Sequence, residues 1–136
     1  MTTESAPTEV IVVVAAVIED GDRFLLTRRQ AGVHLEGFWE FPGGKVDVGE
    51  THEAALIREM REELDVDVTV GAQVFAAVHR YPDRRVALHF LRCGLNGEPR
   101  PMLGQAMAWV ERDELRTLRF PEADAELIAR LTSRAL

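Results

Sequence analysis

Glu59, Glu62 and Glu63 fall within five consecutive residues. A helix through them would bring all three carboxylates onto one face, because each helical residue advances about 100°. Like charges at these spacings repel by a few tenths of a kcal/mol per pair, roughly, and no lysine sits four residues on to relieve them. A hard divalent cation would. Oxygen-only ligands suit Mg2+ or Mn2+, and Mg2+ commonly joins a few carboxylates to substrate phosphates instead of filling a closed cage. The same pattern standing alone could also be a solvated acidic helix face. Its neighbours decide between the two.

The helix that must carry these residues is well marked. Thr51 can cap it, it runs to about Leu64, and Ala55 or Leu56, then Ile57, Met60 and Leu64, make an apolar stripe at helical spacing. Ahead of it, Gly32 to Gly44 mixes glycine, proline and aromatics (Phe38, Trp39, Phe41, Pro42), which predicts an ordered loop holding a short strand. Val10 to Glu19 is a β-branched run, buried on both faces by its composition. The turn Asp20-Gly21-Asp22 leads into Phe24-Leu25-Leu26-Thr27, and the two segments read as a hairpin. Val66 to Val78 and Val86 to Cys93 read as strands about the turn Tyr81-Pro82-Asp83, Ala106 to Val110 as a shorter one, and Ala123 to Leu131 as a closing helix after Pro121. Strands interleaved with two helices predict an α/β or α+β layered domain.

Composition bounds the rest. The 136 residues, 46% hydrophobic and 29% charged, fit one core. We expect residues 1–8 to be a loose polar arm and 9–136 a single domain. No apolar run approaches the ~18 residues of a membrane span, and no basic residue precedes the apolar stretch at Val10, so a cytoplasmic protein without a cleaved signal is expected. The single cysteine, Cys93, excludes disulfide scaffolds and zinc clusters and reads as a core thiol. A net charge of −7 disfavours sequence-independent adhesion to nucleic acid.

From Gly44, five residues lead to Glu50 and seven more to Arg58, followed by Glu59-Met60-Arg61-Glu62-Glu63-Leu64-Asp65-Val66. This resembles the Nudix box, with one departure: Asp65 stands where the family has glycine, at a position that ends the helix in a left-handed conformation. Asp tolerates that conformation better than most residues. Thr27-Arg28-Arg29, His34, Glu40-Phe41-Pro42-Gly43-Gly44-Lys45, Tyr81-Pro82-Asp83-Arg84, Gly97-Glu98-Pro99, Gly104-Gln105 and Phe120-Pro121-Glu122-Ala123-Asp124 resemble, in order, segments of the MutT-type branch of that family. The resemblance implies a Nudix α/β/α sandwich with a mixed β-sheet between helices. It implies Mg2+-dependent hydrolysis of nucleoside triphosphates, 8-oxo-dGTP foremost, to a monophosphate and pyrophosphate, with Mn2+ as a substitute. CTP or 5-methyl-dCTP is the alternative substrate.

By the same resemblance, Glu59, Glu62, Glu63 and the Gly44 carbonyl hold the metal, and Glu62 or Glu63 activates the water. Arg58 and Glu50 form a buried pair that orients the ligands. Lys45 meets phosphate, while Arg29, Phe41, Arg84 and Asp124 surround the base with His34 at the rim. Many relatives carry a glutamate where this chain has Leu103, so the box alone carries the reaction unless another acid, such as Glu98, takes that place. Trp39 and Trp109 are expected in the core; His52, His79 and His89 lack metal-ligand spacing and are expected at the surface or packed on strands. A non-catalytic module recognising modified bases is the competing class. Such modules lose box glutamates, and all four (Glu50, Glu59, Glu62, Glu63) are present here.

Overall fold

The computed structural model describes residues 9–133; the expected arm, 1–8, lies outside the described residues. The chain runs β1 (Glu9–Val17), β2 (Glu19–Asp20), β3 (Arg23–Arg28), β4 (Trp39–Glu40), β5 (Gly43–Lys45), α1 (His52–Leu64), β6 (Asp67–Arg80), β7 (Arg84–Asn96), β8 (Ala106–Glu111) and α2 (Ala125–Thr132). Two 3-10 segments, Arg112–Thr117 and Glu122–Asp124, precede α2, and periodicity does not reveal them.

Alternate side chains of β1 enter two cores. Val14 and Ala16, with Ile18 just beyond, pack under α1 against Leu56, Met60 and Leu64; Ala15 and Val17 pack with Phe24, Phe90 and Leu127 on the α2 side. Full burial of each such Leu, Met or Phe is worth about 1.5–3 kcal/mol, so β1 anchors both layers. A strand buried on both faces belongs inside a sheet. β1 accordingly pairs antiparallel with β5 and parallel with β7, and β6 closes the order β5-β1-β7-β6.

That placement corrects the expected hairpin. Only its tip is one: β2 pairs with β3 through Glu19↔Phe24 and Asp20↔Arg23, while β1 departs at Ile18 to take ladder partners on both edges elsewhere. The Leu25 amide donates to the Ile18 carbonyl at 3.0 Å and ties the two sheets together. The strands therefore divide into the mixed sheet just described and an antiparallel one, in which β3 pairs with β2, β4 and β8. Both lie between α1 and α2 in an α/β arrangement.

The elements that carry chemistry are sharply terminated. Thr51 caps α1 by accepting from the Ala54 amide at 3.0 Å, and Glu53 in the first turn suits the positive end of the helix dipole. Asp65 ends the helix in the left-handed region at φ 51°, where its carboxylate accepts from Arg100 Nη2 at 2.5 Å. Gly43 lies so close to β1 that a Cβ there would fall 2.0 Å from the Val14 carbonyl oxygen. Only glycine lets β5 pair with β1 at this point. No helix among the described residues is long and apolar enough to cross a membrane.

Candidate active site

Arg58 organises the carboxylate face of α1. Its Nε and Nη2 donate to the two Glu50 oxygens at 2.7 and 3.0 Å, Nη1 donates to Glu59 at 3.0 Å and Glu62 at 3.1 Å, and Nη2 also reaches the Lys45 carbonyl at 3.0 Å. With the Asp47 amide donating to Glu50 at 2.8 Å as well, these hydrogen bonds hold the Glu50 carboxyl down to about 2. The Arg58–Glu50 pair, expected to be buried, is partly exposed, at 28% and 20% of the side-chain surface. Its water-facing side leaves the guanidinium free to bind Glu59 and Glu62 as well.

Glu63 behaves differently. Burial, followed by the hydrogen bond and charge of Glu59 and then the charges of Glu40 and Glu62, pushes its carboxyl up to about 9. Glu59 thus adjoins Glu63 and shares Arg58 Nη1 with Glu62. Among the described residues no three acidic, His or Cys side chains stand together so as to hold a metal. The Arg58 guanidinium, bonded to both Glu59 and Glu62, stands beside these carboxylates where a cation would. The donors nevertheless fit a hard divalent cation. They are all oxygen, and Gly44 lies against the Glu59 carboxylate so closely that a Cβ would fall 2.5 Å from its carboxyl carbon.

Beside this face opens a cleft of about 420 Å³, bounded by Gly44 and Lys45 at one side, Val13, Ala15, Val86, Leu88 and Phe90 along its floor, and Phe41, Pro121 and Asp124 above. Phe41 is both core and wall: it stacks on Phe120 at 5.7 Å and meets Phe90 edge-on at 5.9 Å. Asp124 is 6% exposed; its amide donates to the Pro121 carbonyl at 2.9 Å, and its carboxyl makes no hydrogen bond to another described residue. Burial, with the charge of Glu40 adding to it, raises its carboxyl to about 7. Arg29 pairs with Glu40 at 3.0 Å, and burial still raises Glu40 above the usual carboxylate range. A smaller pocket of about 220 Å³ joins the cleft at Arg29, Glu40 and Gly43 and contains Glu63, Leu103 and Gln105.

A family model described as NUDIX domain matches residues 13–130. The chain belongs to the Nudix family. It is 37% identical to a CTP pyrophosphohydrolase of Escherichia coli over 88% of this chain and 87% of that one. It is 38% identical to an 8-oxo-dGTP diphosphatase of Haemophilus influenzae over 90% and 92% of the two chains. Among solved structures it resembles the E. coli ORF135 protein, with a TM-score of 0.81, 35% identity and coverage of 90% and 88%.

Against this Nudix frame, the residues expected to surround the base divide. Arg29, Phe41, Lys45 and Asp124 border the cleft. Arg84 stands one step outside, its guanidinium 5.0 Å from the centre of the Tyr81 ring, which does border it. His34 is exposed and offers its carbonyl to Arg29 Nε at 2.5 Å. Glu98 lies with Ile18, Arg23 and Trp109 in a different depression and does not replace the missing acid, while Leu103 shares the Glu63 pocket. The loop after β7 turns Glu98 away because the Arg100 and Met102 amides are tied to the Leu64 and Glu63 carbonyls at 2.7 and 2.9 Å.

Trp39 and Trp109 are partly buried against the cores, and the ring of His52, at the start of α1, lies tilted against that of His89 on β7 with centroids 4.4 Å apart. His79 departs from that expectation and lines the cleft, as does Tyr81. The signal available for both was the alternation of β6, which puts His79 on the face of Phe75 and Ala77.

Proposed function

We propose that residues 9–136 form one catalytic domain of a cytoplasmic enzyme that hydrolyses nucleoside triphosphates, 8-oxo-dGTP foremost, to the monophosphate and pyrophosphate. The buried, unpartnered carboxyl of Asp124, set in a cleft that begins at the carboxylate helix, carries this reading. Glu59, Glu62, Glu63 and the Gly44 carbonyl would hold Mg2+ or Mn2+. Such a cation, when bound, neutralises phosphate charge and polarises the bond that breaks.

The chain's own groups do the rest. Arg58, braced by Glu50, orients Glu59 and Glu62. Glu62 or Glu63 accepts the proton of the attacking water, and Lys45, which makes no ion pair among the described residues, meets the phosphates. Phe41 stacks on the base, Arg29 and His34 flank the entrance, and Arg84 acts through the Tyr81 ring it covers. A protonated Asp124 has one donor and one acceptor, which match O6 and N7–H of 8-oxoguanine; its carboxyl, raised to about 7, keeps that form near neutral pH.

The same protonated edge matches N3 and the 4-amino group of cytosine, and similarity to a CTP pyrophosphohydrolase favours CTP as the second reading. Pyrophosphate release from 8-oxo-dGTP, dGTP, CTP and 5-methyl-dCTP with Mg2+ tests both. The highest kcat/KM is expected for 8-oxo-dGTP; a highest value for CTP installs the second reading, and no release from any of them overturns the assignment.

A further inference from the structure

The cleft floor crosses the mixed sheet from one edge to the other. Lys45 on β5 is in register with Val13 on β1 and through it with Leu88 on β7, and the adjoining pair Val86↔His79 carries the floor to β6. Three strand spacings separate β5 from β6, roughly 14 Å in all. Phosphates held at the Gly44 and Lys45 edge therefore direct the base across β1 and β7 toward β6. The 3-10 segment carrying Asp124 packs against β6 as well, and Asp124 and His79 line the same cleft.

His79 is the polar side chain in an otherwise aliphatic and aromatic stretch of floor, and its ring nitrogens make no hydrogen bond to another described residue. It is held by shape: its ring stands edge-on to Tyr81 at 4.7 Å, and Arg84 covers the same Tyr81 ring. Arg84 Nε is itself buried without a partner, so this stack is tied by packing and cation–π attraction.

We infer that His79, backed by Tyr81 and Arg84, is a specificity-determining residue that contacts the second ring of a purine at the β6 edge. The inference deepens the proposed nucleotide site and rests on it. A purine reaches farther from its sugar than a single pyrimidine ring, so a group at the far edge of the floor favours purines. The imidazole nitrogens face there the edge that Asp124 leaves unread, N1–H and the 2-amino group.

The test compares kcat/KM for 8-oxo-dGTP and CTP in the parent, His79→Ala, His79→Gln and the control Val78→Ala, which changes the exposed opposite face of the same strand. Binding of 8-oxo-dGMP and CMP, measured by calorimetry without metal, gives a second readout independent of turnover. His79→Ala should lower the 8-oxo-dGTP to CTP ratio by about tenfold or more, through KM and with a matching loss in 8-oxo-dGMP affinity, as expected when a buried polar contact is lost. His79→Gln, which restores a donor and an acceptor, should recover most of the ratio. The inference is overturned if the ratio stays within about twofold of the parent's in His79→Ala, or if Val78→Ala shifts it equally. A parent that releases pyrophosphate from no nucleotide instead overturns the proposed function.

Discussion

The carboxylate helix and the base cleft are neighbours built on opposite principles. On α1 the acting groups are a few residues apart, and one guanidinium reaches Glu50, Glu59 and Glu62 at 2.7–3.1 Å, with Glu63 more deeply set beside Glu59. In the cleft the polar groups come from the residue after β3, from β4, β5 and β6, and from the segment before α2, and burial raises Asp124 and outweighs Arg29 in raising Glu40. Surface charge networks tolerate rearrangement, because water screens them. Buried polar groups do not, since an unmatched one costs about 1–3 kcal/mol. On the proposed function, the first region would serve any triphosphate, while the second would decide which base is accepted.

Substitutions should separate the two. The largest effect is expected from Glu63→Gln, which keeps shape but removes a carboxyl that can ionise onto a cation. Turnover should fall by at least ~10²-fold on every substrate, with the ratios among substrates fixed. Steady-state kinetics over several nucleotides checks this, and a change of preference would mean that the helix also reads the base.

Asp124→Asn should do the reverse. The ratio of kcat/KM between 8-oxo-dGTP and CTP should change by roughly tenfold or more, with a smaller effect on the metal requirement. The parent should lose 8-oxo-dGTP activity as pH rises through about 7, where Asp124 ionises, and the variant should not.

Stability carries the same sign. A carboxyl raised in the folded state stabilises fully below its unfolded pKa, and that contribution is lost as pH climbs from near 4 to about 7. Urea midpoints at pH 4.5 and 8 should differ less in Asp124→Asn than in the parent.

Leu103→Glu probes the boundary between the regions, because position 103 is exposed yet borders the pocket of Glu63. It should tighten Mn2+ binding and raise turnover several-fold, most clearly near neutral pH. Equal metal affinity in parent and variant would show that the loop points the new carboxylate outward. The smallest effect belongs to Asp65→Gly. Relief of the left-handed conformation should outweigh the exposed pair with Arg100 and raise stability by about 1 kcal/mol, read as a denaturant midpoint.

How far each region was legible in the sequence follows from the same contrast. The capped helix, its apolar stripe and the order Gly44, Glu50, Arg58, Glu59, Glu62, Glu63 are relations among neighbours, so periodicity and spacing reveal them before any fold is known. The sequence alone thus determined the family resemblance, the two helices, nearly every strand and the machinery of α1. Whether three carboxylates meet was beyond it, because that depends on where Arg58 points its fork.

Tertiary structure alone decided what depends on pairing across the chain. It sent β1 into the centre of a second sheet instead of a hairpin and placed Glu98 away from Glu63. It moved Arg84 behind Tyr81 and brought His79 onto the cleft floor opposite Asp124. The physical reason is common to all four. A strand's period tells which side chains share a face, but the partner on each edge and the element covering that face are chosen by burial of the whole core, which no local spacing encodes.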